Sequence, residues 1–123
     1  MRILLLDDSV DNLNLLKLYA KKSSDEFVMV SDSSVALDYI SKENFDLFFL
    51  DIQMPQKDGF EVLGEVRDSN NGKELFICAL TAHTSKDEVE KINKSTFNDY
   101  LEKPILRDDF LKYIEDYSIK AAG

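Results

Sequence analysis

The chain has 123 residues, 44% hydrophobic and 32% charged, with 15 Lys+Arg against 24 Asp+Glu for a net charge of −9. That length suits one domain burying about two thirds of its unfolded surface, and the acid excess argues against nucleic acid or anionic lipid as partner, since both need a basic face. One cysteine excludes an internal disulfide, no run approaches the ~20 apolar residues of a membrane span, and Arg2 is followed by too few apolar residues for a signal peptide, so the expected location is the cytoplasm.

Five apolar runs alternate with helical patterns. Ile3–Leu6 reads as a strand and ends on Asp7-Asp8. From about Ser9 to Lys22 a helix is expected, with Leu15, Leu16 and Tyr19 as its core side. Phe27–Val30 is the second strand, and Val35, Ala36, Tyr39 and Ile40 mark the second helix. Leu47–Leu50 is the third strand and ends on Asp51. Asp58-Gly59 makes a turn that opens a third helix carrying Phe60, Val62, Leu63 and Val66. After the turn Asn70-Asn71-Gly72-Lys73, Leu75–Leu80 forms the fourth strand, with Cys78 as a small buried thiol, and ends on Thr81-Ala82. Ser85-Lys86-Asp87-Glu88 matches a capping box for a fourth helix bearing Val89 and Ile92. A weaker run, Tyr100–Leu101, precedes Glu102-Lys103-Pro104. A last helix from about Arg107 to Tyr117 turns Phe110, Leu111 and Ile114 inward. The domain is expected over residues 1–120, with Ala121-Ala122-Gly123 as a tail and no output domain.

Near-continuous apolar strands alternating with helices predict a doubly wound α/β fold, (βα)5, with a five-stranded parallel sheet of order 2-1-3-4-5 and flavodoxin-like winding. In such a sheet ligands bind beyond the carboxyl ends of the strands, where the winding reverses. Asp7, Asp8 and Asp51 then share one pocket between the first and third strands. Three carboxylates repel one another, and a hard divalent cation is the usual means of keeping them ionised. Thr81 adds a hydroxyl and Lys103 an ammonium at the same rim. An aspartate flanked by Mg²⁺ and a lysine is a credible nucleophile toward phosphorus.

Asp7-Asp8, Asp51-x-x-Met54-Pro55-x-x-Asp58-Gly59, Thr81-Ala82 and Lys103-Pro104 together resemble the receiver domain of two-component and phosphorelay response regulators, the CheY-like family, over essentially the whole chain. The resemblance implies a signalling phospho-acceptor that takes a phosphoryl group from a phosphohistidine on a histidine kinase or histidine-phosphotransfer protein. Asp51 would be the acceptor, and Thr81 and Lys103 would bind the phosphoryl oxygens. Mg²⁺, or Mn²⁺ in its place, would be held by Asp8 and Asp51, by Asp7 through water, and by the backbone carbonyl of Gln53. Lys103-Pro104 would be cis. Tyr100 would act with Thr81 as a switch, or else simply cap the fifth strand. Gln53 and His83 would border the path of the hydrolytic water and tune phosphoryl lifetime; a solvated loop histidine is the alternative for His83. Val10 and Leu13, with Leu18, are expected beside the site as part of the surface that meets the phosphoryl donor. The downstream partner is an unspecified protein contacting the fourth helix, fifth strand and fifth helix, not nucleic acid or membrane.

Three other readings compete. An aspartyl-phosphate phosphatase of the haloacid-dehalogenase type wants a second acid two residues after the nucleophile, where this chain has Gln53. A mononucleotide binder needs a phosphate-cradling loop after the first strand, where Asp7-Asp8 would repel phosphate. A phosphorylation-independent interaction module would have no use for all five pocket side chains.

Overall fold

A computed structural model describes residues 1–55 and 57–122. The elements run β1 (Arg2–Leu6), α1 (Val10–Ala20), β2 (Glu26–Val30), α2 (Ser33–Lys42), β3 (Leu47–Asp51), α3 (Gly59–Asp68), β4 (Phe76–Thr81), α4 (Lys86–Lys94), β5 (Asp99–Glu102) and α5 (Arg107–Ala122). The five strands pair in parallel in the order β2-β1-β3-β4-β5.

Alternation along each strand sends successive side chains to opposite faces. Leu4, Leu6, Phe48, Leu50, Ile77 and Ala79 point to one face, where α2, α3 and α4 cover them with Ile40, Val62, Leu63, Val66 and Ile92. Ile3, Leu5, Leu47, Phe49, Cys78 and Leu80 point to the other, against Leu13 and Leu16 of α1 and Phe110 and Ile114 of α5. Both faces are dry, which is why the central strands read as unbroken apolar runs. β2 lies at the sheet edge, and its Phe27–Val30 are only half-buried.

Short polar side chains start the helices. Ser9, Asp32, Asp58 and Ser85 each accept a hydrogen bond from a backbone N–H two or three residues on. Arg67, at the end of α3, donates from Nη1 to the carbonyls of Gly72 and Leu75 at 2.8 and 2.7 Å. Its Nη2 donates to Thr96 O at 2.6 Å and Asn98 Oδ1 at 2.9 Å, and Asn98 Oδ1 also accepts from Ile77 N at 2.8 Å. One guanidinium thus ties α3, the entry to β4 and the entry to β5 together.

Two expectations change. The core side of α1 is Leu13 and Leu16 with the half-buried Tyr19, and Leu15 is not part of it: Leu13 is 5% exposed and Leu15 43%. Leu15 lies two residues from Leu13, about 200° around the helix, so both cannot face the sheet. Leu13 is therefore a core residue and leaves the expected docking surface, whereas Val10 and Leu18 are exposed. α5 also continues past Tyr117 and takes in Ala121 and Ala122, while Gly123 lies outside the described residues.

Candidate functional site

Register brings the site together. Leu6 of β1 pairs with Leu50 of β3, so Asp7 and Asp51 emerge side by side. Asp51 pairs with Leu80 and Thr81 with Glu102, which sets Thr81 and Lys103 at the same end of the sheet. Among the described residues the buried polar side chains are Asp7, Asp51 and Thr81, all at this one rim. Burying charge is costly without partners, so a concentration of it marks a place where the charge is used.

Lys103 Nζ lies 3.1 Å from Asp7 Oδ2 and 3.0 Å from Asp51 Oδ1, bridging the two buried acids. Asp7 Oδ1 accepts from Ser9 N at 2.9 Å and Asp7 Oδ2 from Asn12 Nδ2 at 3.4 Å. Asp51 Oδ1 accepts from Gln53 N at 3.2 Å. Burial raises the Asp51 carboxyl to about 7; Lys103 opposes the rise and Asp7 adds to it. Burial works against the Lys103 ammonium, but Asp51 and Asp7 outweigh it and its pKa is raised. Lys103 is held in place by its backbone N–H, which donates to Thr81 O at 2.7 Å, and the Lys103-Pro104 bond is cis.

Asp8 is exposed at the mouth, and oxygens of Asp7, Asp8 and Asp51 lie within 4.8 Å of one another. Three carboxylates against one ammonium leave two formal negative charges, which one divalent cation balances. The all-oxygen donor set suits a hard cation such as Mg²⁺ and gives a soft metal nothing to hold. A cleft of about 270 Å³ opens beside the acids between Asn12, Leu15, Lys103 and Ile105.

Gly59 has a role that its place in a turn did not reveal. A Cβ there would come within 2.6 Å of Asp51 O and 2.8 Å of Ile52 Cα, so only glycine lets α3 begin this close to the end of β3. Gly59 N donates to Ile52 O at 3.0 Å, and Asp58 caps the helix.

Asp7, Asp51 and Lys103 meet in direct contact, and Asp8 joins them at the rim. The Thr81 hydroxyl is buried in the same place but bonds within its own turn and to Gln53. Tyr100 is half-buried against the core face covered by α2, α3 and α4. His83 is exposed, and Cys78 is buried, its thiol pKa pushed up by that burial. Val10 and Leu18 are exposed on α1, whose start adjoins the acids through Ser9 and Asn12. Sequence reasoning missed Ser9 and Asn12 as supports of Asp7. The capping position of Ser9 and the spacing of Asn12, one turn after Asp8, were the available signals.

Comparison with known proteins agrees with this geometry. Residues 3–115 match the response regulator receiver domain family. The chain is 36% identical over 107 residues to the sensor protein GacS of Pseudomonas syringae pv. syringae, covering 85% of this chain but 12% of GacS. The Vibrio cholerae chemotaxis protein CheY4 superposes with a TM-score of 0.86 at 26% identity, covering 94% of this chain and 97% of CheY4. The receiver domain of sensor histidine kinase PA1611 from Pseudomonas aeruginosa PAO1, with a magnesium ion coordinated in its active-site cleft, superposes at 0.84 and 26% identity, covering 94% and 95%. The chain belongs to the response regulator receiver domains of two-component signalling.

Proposed function

We propose that this receiver is a Mg²⁺-dependent phospho-acceptor whose Asp51 takes a phosphoryl group from a partner phosphohistidine. The observation that carries the reading is the contact of buried Asp51 with Lys103, beside Asp7 and Asp8, at the switch point of the sheet. A carboxylate oxygen of Asp51 attacks phosphorus, the phosphorus–nitrogen bond breaks, and the leaving imidazole nitrogen keeps the electron pair. Lys103 already lies on Asp51 and would follow the charge onto the phosphoryl oxygens, while Asn12 and Ser9 hold Asp7 in place beside it. Mg²⁺ or Mn²⁺, held by Asp8, Asp51, Asp7 and the Gln53 carbonyl, would neutralise phosphoryl charge when bound. The chain acts as a signalling protein, catalysing only its own phosphorylation and slow dephosphorylation.

Thr81 and Tyr100 are the readout in this reading. The phosphoryl group adds charge and acceptor oxygens that draw the Thr81 hydroxyl toward Asp51, and the half-buried ring of Tyr100 follows. Gln53 and His83 set how long the phosphoryl persists. Val10 and Leu18 of α1, joined by exposed Leu15, form the docking surface for a histidine kinase or histidine-phosphotransfer protein in the cytoplasm. The output partner is a protein meeting α4, β5 and α5. No helix among the described residues is long and apolar enough to cross a membrane.

The test is incubation with acetyl phosphate and Mg²⁺ followed by intact mass measurement. One added phosphoryl group, lost with Asp51→Asn or with chelator, supports the reading. Continuous hydrolysis of generic phosphoesters would favour the phosphatase, and no adduct would favour the phosphorylation-independent module.

A further inference from the structure

Gln53 sits between the acceptor and the readout. Its backbone N–H donates to Asp51 Oδ1 at 3.2 Å. Its side-chain amide crosses to the β4–α4 turn, donating from Nε2 to Thr81 Oγ1 and accepting at Oε1 from Ala82 N, both at 3.1 Å. Nε2 also reaches Glu88 Oε1 at 3.5 Å, in the first turn of α4.

A hydroxyl has one proton to give and two lone pairs to offer. Thr81 Oγ1 donates to His83 O at 3.0 Å and accepts from His83 N at 3.0 Å and from Gln53 at 3.1 Å. Its capacity is full, and none of the three bonds points to Asp51 or Lys103. Two of them are local to the turn and the third comes from the loop that carries Asp51.

We infer that Gln53 is a positioning residue, a latch whose amide holds the Thr81 hydroxyl in the turn and so sets how readily the receiver moves to its phosphorylated arrangement. The inference rests on the phospho-acceptor reading, because the latch matters only if Thr81 must turn toward Asp51. When it does, the bond from Gln53 Nε2 is broken, and the amide that also holds Ala82 N and Glu88 is freed of one of its three anchors. Release is thereby felt at the start of α4. A role confined to steering hydrolytic water would leave the unphosphorylated protein unchanged.

The test compares wild type with Gln53→Met, which keeps the length and loses the amide, and with Gln53→Ala as a second variant. Amide NMR spectra and hydrogen exchange are first recorded without Mg²⁺ or any phosphoryl group. The latch predicts displaced Ala82, His83 and Glu88 resonances and faster Ala82 exchange in both variants; unchanged spectra overturn it. Beryllium fluoride, a phosphoryl mimic, is then titrated in Mg²⁺. Both variants should bind it roughly two- to tenfold more tightly, the worth of one net hydrogen bond. That gain should vanish when Thr81 is replaced by alanine, and an equal gain in the Thr81→Ala background, or no gain in either, also overturns the latch. Failure of wild type to bind the mimic counts against the phospho-acceptor reading itself, and the mimic-free spectra judge the latch separately.

Discussion

Replacing Asp51 with asparagine should make the protein more stable, and increasingly so as pH rises. The Asp51 carboxyl is raised by burial and by Asp7 from 3.8 to about 7, with Lys103 opposing. A carboxyl whose folded pKa exceeds its unfolded one favours the native state fully below pH 3.8 and loses that favour as pH rises through about 7. From about pH 5.5 to about pH 8.5 the loss amounts to about 2 kcal/mol, most of it over the lower half of that window, where the folded chain still holds a proton that the unfolded chain has already lost. Asparagine does not titrate, so the stability gap in favour of Asp51→Asn should widen by that amount across the window. Lys103 keeps Asp7 as partner in the variant, which leaves a pH-independent offset that the difference removes. Urea unfolding in chelator at constant salt, at several pH values, measures the gap. Mg²⁺ at the upper pH should stabilise wild type more than the variant and narrow it. A gap that stays flat or shrinks as pH rises would refute the picture of Asp51 as a carboxylate held against its own burial.

Gly59→Ala should cost about 1–3 kcal/mol and slow Asp51 labelling, since the new methyl displaces the end of β3; urea unfolding and intact mass measure the two effects. Arg67→Lys should cost about 2–3 kcal/mol, because an ammonium cannot reach the carbonyls of Gly72, Leu75 and Thr96 together; urea unfolding checks it, and amide spectra should change at Ile77 and Asn98, far from the acids. Leu18→Asp should slow phosphoryl transfer from the phosphohistidine donor by about tenfold, about 1.4 kcal/mol, and spare labelling by acetyl phosphate; equal loss in both assays would remove α1 from the docking surface.

Much of this was legible because apolar runs end on acids. Ile3–Leu6 before Asp7 and Leu47–Leu50 before Asp51 gave strand ends, and parallel winding then made the two aspartates neighbours, as the pairing of Leu6 with Leu50 bears out. Lys103 and Thr81 followed from the same logic. The face of α1 did not, because its leucines at 13, 15, 16 and 18 surround the helix and leave two stripes of similar apolarity. The packing of Leu13 and Leu16 against Ile3 and Leu5 decides between them. The extent of α5 was missed because its last turns carry little apolar periodicity, although Tyr117 anchors them by donating to Asp46 O at 2.9 Å. The Gln53 amide and Thr81 hydroxyl meet across 28 residues of sequence, so neither local pattern nor composition could pair them.

The most direct test of the central claim is to find where the phosphoryl goes. Wild-type protein is labelled with acetyl phosphate and Mg²⁺, the acyl phosphate is reduced with borohydride, and the peptide spanning β3 is sequenced by mass spectrometry. The account predicts reduction of a single carboxylate, at Asp51, absent without Mg²⁺. Modification at Asp7 or Asp8 instead, or a protein that binds Mg²⁺ and yet takes no phosphoryl, would contradict it.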